Sequence, residues 1–149
     1  MRAIQWMGAA AMAILAAGSA SAQEHPHYLH ALSDLRLARA LLDRQEEWNV
    51  MRDQQAAVED IDHAIGEIKR ASIDDRKPLG EHEPIDTRLD HRGRLRRVME
   101  LLDSADRDLH AEEDNFAALG WRGAALHHVD EARGAVHRAL EDKRIDQFR

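Results

Sequence analysis

The sequence predicts an all-α fold, an antiparallel up-down-up-down four-helix bundle built from two similar helical hairpins. Three observations carry that expectation. Apolar residues recur in steps of three and four over four stretches. Proline and glycine gather in a few places, chiefly between those stretches. And two of the stretches repeat one another.

The first helix is expected from about Tyr28 to Arg44, with Leu32, Leu35, Ala38 and Leu42 on one face and Pro26 suited to its start. The second is expected from about Glu47 to Ala71. There Met51, Val58 and Ile65 alternate with Ile61 and Ile68 at the spacing of a bundle seam. Lys77-Pro78-Leu79-Gly80 and Glu83-Pro84 then break the helix. The third is expected from about Asp86 to Glu113, with Leu95, Val98, Leu102, Ala105 and Leu109 inward. The fourth runs from about Phe116 to Asp146, with Leu119, Leu126, Val129, Val136 and Leu140 beside an alanine file at Ala118, Ala125, Ala132 and Ala139.

The hairpins, about 27–72 and 86–147, read as copies. Residues 56–71 (AAVEDIDHAIGEIKRA) set over 124–139 (AALHHVDEARGAVHRA) match at both leading alanines, Asp62/Asp130, Ala64/Ala132, Gly66/Gly134, Arg70/Arg138 and Ala71/Ala139. LRLARALLD at 35–43 likewise matches LRRVMELLD at 95–103. Helix interiors resist glycine and aspartate, so sharing both at the same places points to duplication.

Ahead of the bundle, Met1-Arg2, an apolar run from Trp6 to Ala17 and Gly18-Ser19-Ala20-Ser21-Ala22 have the form of a secretory signal cleaved after Ala22. The run is shorter than the roughly 20 apolar residues of a membrane span, although an uncleaved anchor is the competing reading. The expected mature chain is a single domain, 23–149, periplasmic or secreted, with no membrane contact after cleavage. It carries 20 basic against 28 acidic residues, which argues against nucleic acid or an anionic membrane as partner. Without cysteine it has no disulfide, no thiolate metal site and no attachment point for covalent haem.

Histidine stands out. All ten lie in the mature chain, and imidazole suits Cu(II), Zn(II) and Ni(II). With up-down-up-down directions, His25, His27, His30, His82, His91 and His137 map toward one end of the bundle, where metal ions are the expected ligands. His27, His30 and Asp34 share a helix face by their spacing, and His91 follows Asp90. His127 with Asp130, and His137 further on, form a second candidate group; Glu59-His63-Glu67 is another ladder. Cleavage after Ala22 would make His25 the third residue of the mature chain. An unblocked Gln23-Glu24-His25 end offers a square-planar nitrogen site for Cu(II) or Ni(II). Asp62 and Asp130 flank the apolar seam, either as ion pairs, with Arg94, Arg97 or Arg133 as candidate partners, or as ligands facing the bundle interior.

His128-Val129-Asp130-Glu131-Ala132, with His127 before it and His137 after, resembles the repeated unit of the periplasmic small metal-binding proteins. That resemblance spans one helix and, more faintly, its copy at 56–71. It implies a signal-bearing, cysteine-free helical bundle that binds Cu(II) and other divalent ions without catalysis. The chain departs from the pattern where Glu59 and Asp60 replace the His127-His128 pair, which implies few sites. A protein–protein module is the alternative, with Trp48, Trp121 and Phe148 at helix ends and another periplasmic protein as partner. Enzymatic function is not expected. No Ser/His/Asp order, nucleotide-binding glycine loop or catalytic metal motif occurs, and the paired Glu-x-x-His pattern of di-iron bundles is absent.

Overall fold

α1 (Pro26–Leu42) starts on a proline, whose missing N–H costs nothing at the first helical position. α2 (Trp48–Ala71) follows a short connection, then α3 (His91–Ala111) and α4 (Leu119–Asp146). The computed structural model describes residues 25–43, 48–71, 80–112, 116 and 118–146; the expected leader, residues 1–22, lies outside them. Among the described residues there are four helices and no strand, and the helices pack as a four-helix bundle. None of these helices is long and apolar enough to cross a membrane.

α3 begins five residues later than its periodicity suggests. Asp90 stops the extended connection by accepting the backbone N–H of Gly93 at 2.6 Å, an N-cap that satisfies one orphan donor. A Cβ on Gly93 would lie 2.8 Å from that carboxylate oxygen, so the glycine makes room for the cap. Asp90→Ala is expected to cost about 1 kcal/mol of stability, read from denaturant midpoints. An unchanged midpoint would remove the cap from the account.

The core follows the predicted faces of α1 and α3: Leu32, Leu35, Ala38, Leu42, Leu95, Val98, Leu102, Ala105 and Leu109 are all buried, and Tyr28 joins them. On α4 the alanine file faces inward. Ala125, Ala132 and Ala139 are fully buried with Val129, Ala135 and Val136, while Leu126 and Leu140 are half-buried and Leu119 is exposed. Opposite it, α2 buries Ala57, Ile61, Ala64, Ile65 and Ile68. Small side chains on both helices let their axes approach closely, and α2 and α4 form the most extensive helix pair, followed by α1 and α3.

The helix directions correct the up-down-up-down expectation. The start of α1 lies against the end of α3, through His25–Glu112 and His27–Asp108. The end of α3 meets the start of α4, where Arg122 donates to the Glu112 carbonyl. The start of α4 meets the end of α2, where Arg70 lies 5.5 Å from the Trp121 ring centroid. α2 and α3 therefore run the same way, and the order is up-down-down-up. Among the described residues the backbones of α1 and α4 do not come close, nor do those of α2 and α3, so these are the diagonals. The physical reason is the length of the 72–90 connection. Such a chain spans up to roughly 60 Å, twice the ~32 Å length of α3, enough to join the end of α2 to a start of α3 at the opposite end of the bundle. Ile85 of this connection packs against the core.

Candidate metal centre

The α2/α4 seam brings together three ligating side chains. Asp60 and His63 stand one helical turn apart on α2, His128 faces them from α4, and one donor atom from each lies within 4.8 Å of the others. His128 donates through Nδ1 to Asp60 Oδ1 at 3.1 Å, and the His63 and His128 rings stand 4.9 Å apart, tilted by 43°. Asp60 and His128 are half-buried and His63 is exposed, so the group is open to solvent from the side. The alanines beneath it explain the close meeting. With Ala57, Ala64, Ala125 and Ala132 filling the interface, side chains as short as aspartate reach the opposite helix. Two imidazoles and one carboxylate, from two rigid helices, are a donor set for a borderline divalent ion such as Zn(II), Cu(II) or Ni(II).

None of the three belongs to the two predicted ligand groups, although His63 lies in the Glu59-His63-Glu67 ladder and His128 opens the segment His128-Val129-Asp130-Glu131-Ala132. The residues predicted at a histidine-rich end are dispersed, because α3 and α4 run opposite to the expected directions. His91 sits at the start of α3, level with the end of α1, with its Nδ1 3.5 Å from the Arg94 guanidinium. His137 lies toward the end of α4, beside the Arg138–Asp53 ion pair at 3.4 Å. His82 is exposed in the connection, its Nδ1 2.7 Å from the Glu83 carbonyl. In the second group, His127 is exposed and touches only the edge of this site, its ring 5.5 Å from that of His128. Asp130 points to solvent and pairs with Arg133 at 3.5 Å, one of the partners expected for it. Its counterpart Asp62 takes a partner that was not expected. Arg39 of α1 grips it with two bonds, at 2.6 and 3.2 Å, tying α1 to α2.

At the start of α1 the predicted ligands hold the fold. His25 Nδ1, the nitrogen an amino-terminal metal clamp would need, lies 2.9 Å from Glu112; Gln23 and Glu24 are outside the described residues. Glu112, the C-cap of α3, also accepts the Tyr28 backbone N–H at 3.1 Å. α1 has no side-chain cap of its own, so Glu112 caps it from another helix and sets a negative charge at its positive end. The sequence gives no local sign of this, since the partners lie 84 residues apart. His27 Nδ1 lies 3.2 Å from Asp108, and His30 is exposed one turn before Asp34.

Burial pushes the Asp34 carboxyl above its ordinary value, nearby Asp108 adds to this, and a hydrogen bond with Ser104 opposes it. A carboxyl raised on folding favours the folded state while protonated. That contribution is present below the unfolded value of 3.8 and is lost as pH rises through the folded value. Asp34→Asn is therefore expected to raise the melting temperature at pH 7, with the gain vanishing below 3.8. Thermal melts at the two pH values check this; a lower melting temperature at pH 7 would show that the charge stabilises.

Comparison with protein-family models, with curated proteins and with solved structures finds no match. The functional reading therefore rests on the chain's own residues.

Proposed function

We propose that the chain is an exported, non-enzymatic four-helix bundle that binds divalent transition metal ions at Asp60, His63 and His128. The observation that carries the reading is the convergence of these three donors within 4.8 Å across the α2/α4 seam. The acidic balance of the chain suits cations, and the absence of cysteine restricts the strong donors to imidazole and carboxylate. Export rests on the form of residues 1–22, and an oxidising compartment poses no hazard to a chain without thiols. The role is that of a scavenger, buffer or carrier.

The test is calorimetric titration of the purified, tag-free mature protein with Cu(II), Zn(II) and Ni(II) at neutral pH and again near pH 5. Saturable binding with micromolar or tighter affinity is expected, weakening at the lower pH because protons compete for imidazole. Weak, non-saturating heat at neutral pH would overturn the reading.

A second reading, a protein–protein module, draws on Leu29, Phe116, Leu119 and Trp121, large apolar side chains exposed at the end of the bundle where α1 and α4 begin. The same titration separates the two, since this reading requires no metal.

A further inference from the structure

The two helices that supply the ligands are the two copies of the sequence repeat, and they pack antiparallel. Asp60 aligns with His128 in that repeat, and it is His128 that Asp60 touches, at 3.1 Å. A residue meeting its own copy marks a pseudo-two-fold axis, as in the isologous interface of a symmetric dimer. The ion pairs and ring contacts flanking it agree, since Asp53 meets Arg138 on one side and Arg70 meets Trp121 on the other. The candidate centre thus sits on the internal symmetry axis.

An axis that exchanges Asp60 with His128 also exchanges His63 with Glu131, because residue 63 aligns with 131. His63 flanks the Asp60–His128 pair on one side, and the two-fold operation carries its position onto that of Glu131 on α4, whose carboxylate is not among the donors that already lie within 4.8 Å of one another. Each helix offers its two groups three residues apart, Asp60-x-x-His63 on α2 and His128-x-x-Glu131 on α4. Three residues rise about 4.5 Å along a helix, a span that the Glu side chain covers by rotation, and Glu131 is exposed.

We infer that Glu131 is the fourth ligand, completing a centre of two imidazoles and two carboxylates on the pseudo-two-fold axis, with the donor set of a closed, four-coordinate Zn(II) site. This rests on the metal-binding reading above. The order of donors is reversed between the copies, so the antiparallel pairing contributes one imidazole and one carboxylate from each helix. Four protein ligands leave no open position, the arrangement of a storage or structural site and not of a catalytic one. A set of four side chains on two crossing helices also suits a tetrahedral ion better than the square plane preferred by Cu(II).

The experiment uses the mature chain with Zn(II) by calorimetry and Co(II) as a spectroscopic probe of coordination number. The wild type is expected to bind one ion at this site, and its Co(II) form to show the intense visible bands of four-coordination. Glu131→Gln is expected to weaken Zn(II) binding at least tenfold and to shift the Co(II) spectrum toward the weak bands of higher coordination. Glu131→His is expected to keep both. Wild-type binding with Glu131→Gln unchanged in affinity and spectrum would overturn the fourth ligand while leaving the three-residue site standing. No saturable binding by the wild type would overturn the metal reading itself, and this inference with it.

Discussion

Replacing His128 with alanine is expected to weaken Zn(II) binding by about 100-fold, roughly 2.7 kcal/mol. His128 is the donor that α4 contributes to the triad; without it, Asp60 and His63 remain on one helix. The neighbouring His127 supplies the control. It is exposed on the flank of α4 and outside the triad, so His127→Ala is expected to leave the affinity within about twofold. Calorimetry on both variants, with helix content checked by circular dichroism, decides the matter. Equal losses in the two would indicate loose binding by a histidine-bearing face, and no loss in His128→Ala would move the site elsewhere.

The second large effect concerns the seam beneath the site. Ala132 is fully buried on α4, one turn from His128, and a larger side chain there is expected to spread the closely packed α2 and α4. Ala132→Leu is expected to destabilise the fold by about 1–3 kcal/mol, the usual cost of overpacking. It is also expected to weaken metal binding, because wider helices carry His128 away from Asp60. Denaturant midpoints and zinc titration on the same variant test both halves; a stable variant with full affinity would mean that the close approach of α2 and α4 is not what builds the site. Gly66 of the same repeat behaves in the opposite way. A Cβ there would meet nothing within 4 Å, so Gly66→Ala is expected to stabilise by about 0.5–1 kcal/mol through helix propensity. A loss of stability would instead give that glycine a packing role.

Much of the architecture was legible because it is local. Periodicity locates the ends of the four helices to within five residues, and the inward faces of α1 and α3 follow directly from the spacing of Leu32, Leu35, Leu95 and Leu102. The alanine file of α4 was visible too, though not that alanines and not leucines would face α2. The close pairing of two helices favours small residues at the contact, so burial there does not follow side-chain size. Helical periodicity extends into Asp86–Leu89, whereas the Asp90 cap sets the first turn of α3.

The candidate site was only half legible. His63 and His128 were conspicuous as histidines, and the likeness of 56–71 to 124–139, which sets Asp60 over His128, is visible in the sequence. What was missing was the way the copies meet. Placed one after the other in alternating directions, they put α1 and α3 parallel and gather His30 with His91. Placed about a two-fold axis, they set each helix against its own copy, pairing α1 with α3 and α2 with α4.

By itself, then, the sequence determined the helices, most of their apolar faces, the likeness of residues 56–71 to 124–139 and a donor chemistry limited to imidazole and carboxylate. Only the tertiary structure decided the direction of the second hairpin, and with it which donors converge. Periodicity and ligand spacing are properties of a single helix, encoded within a few turns. The direction of a hairpin joined by a connection as long as 72–90 depends on contacts between residues far apart in the chain, such as His25 with Glu112 and Asp60 with His128.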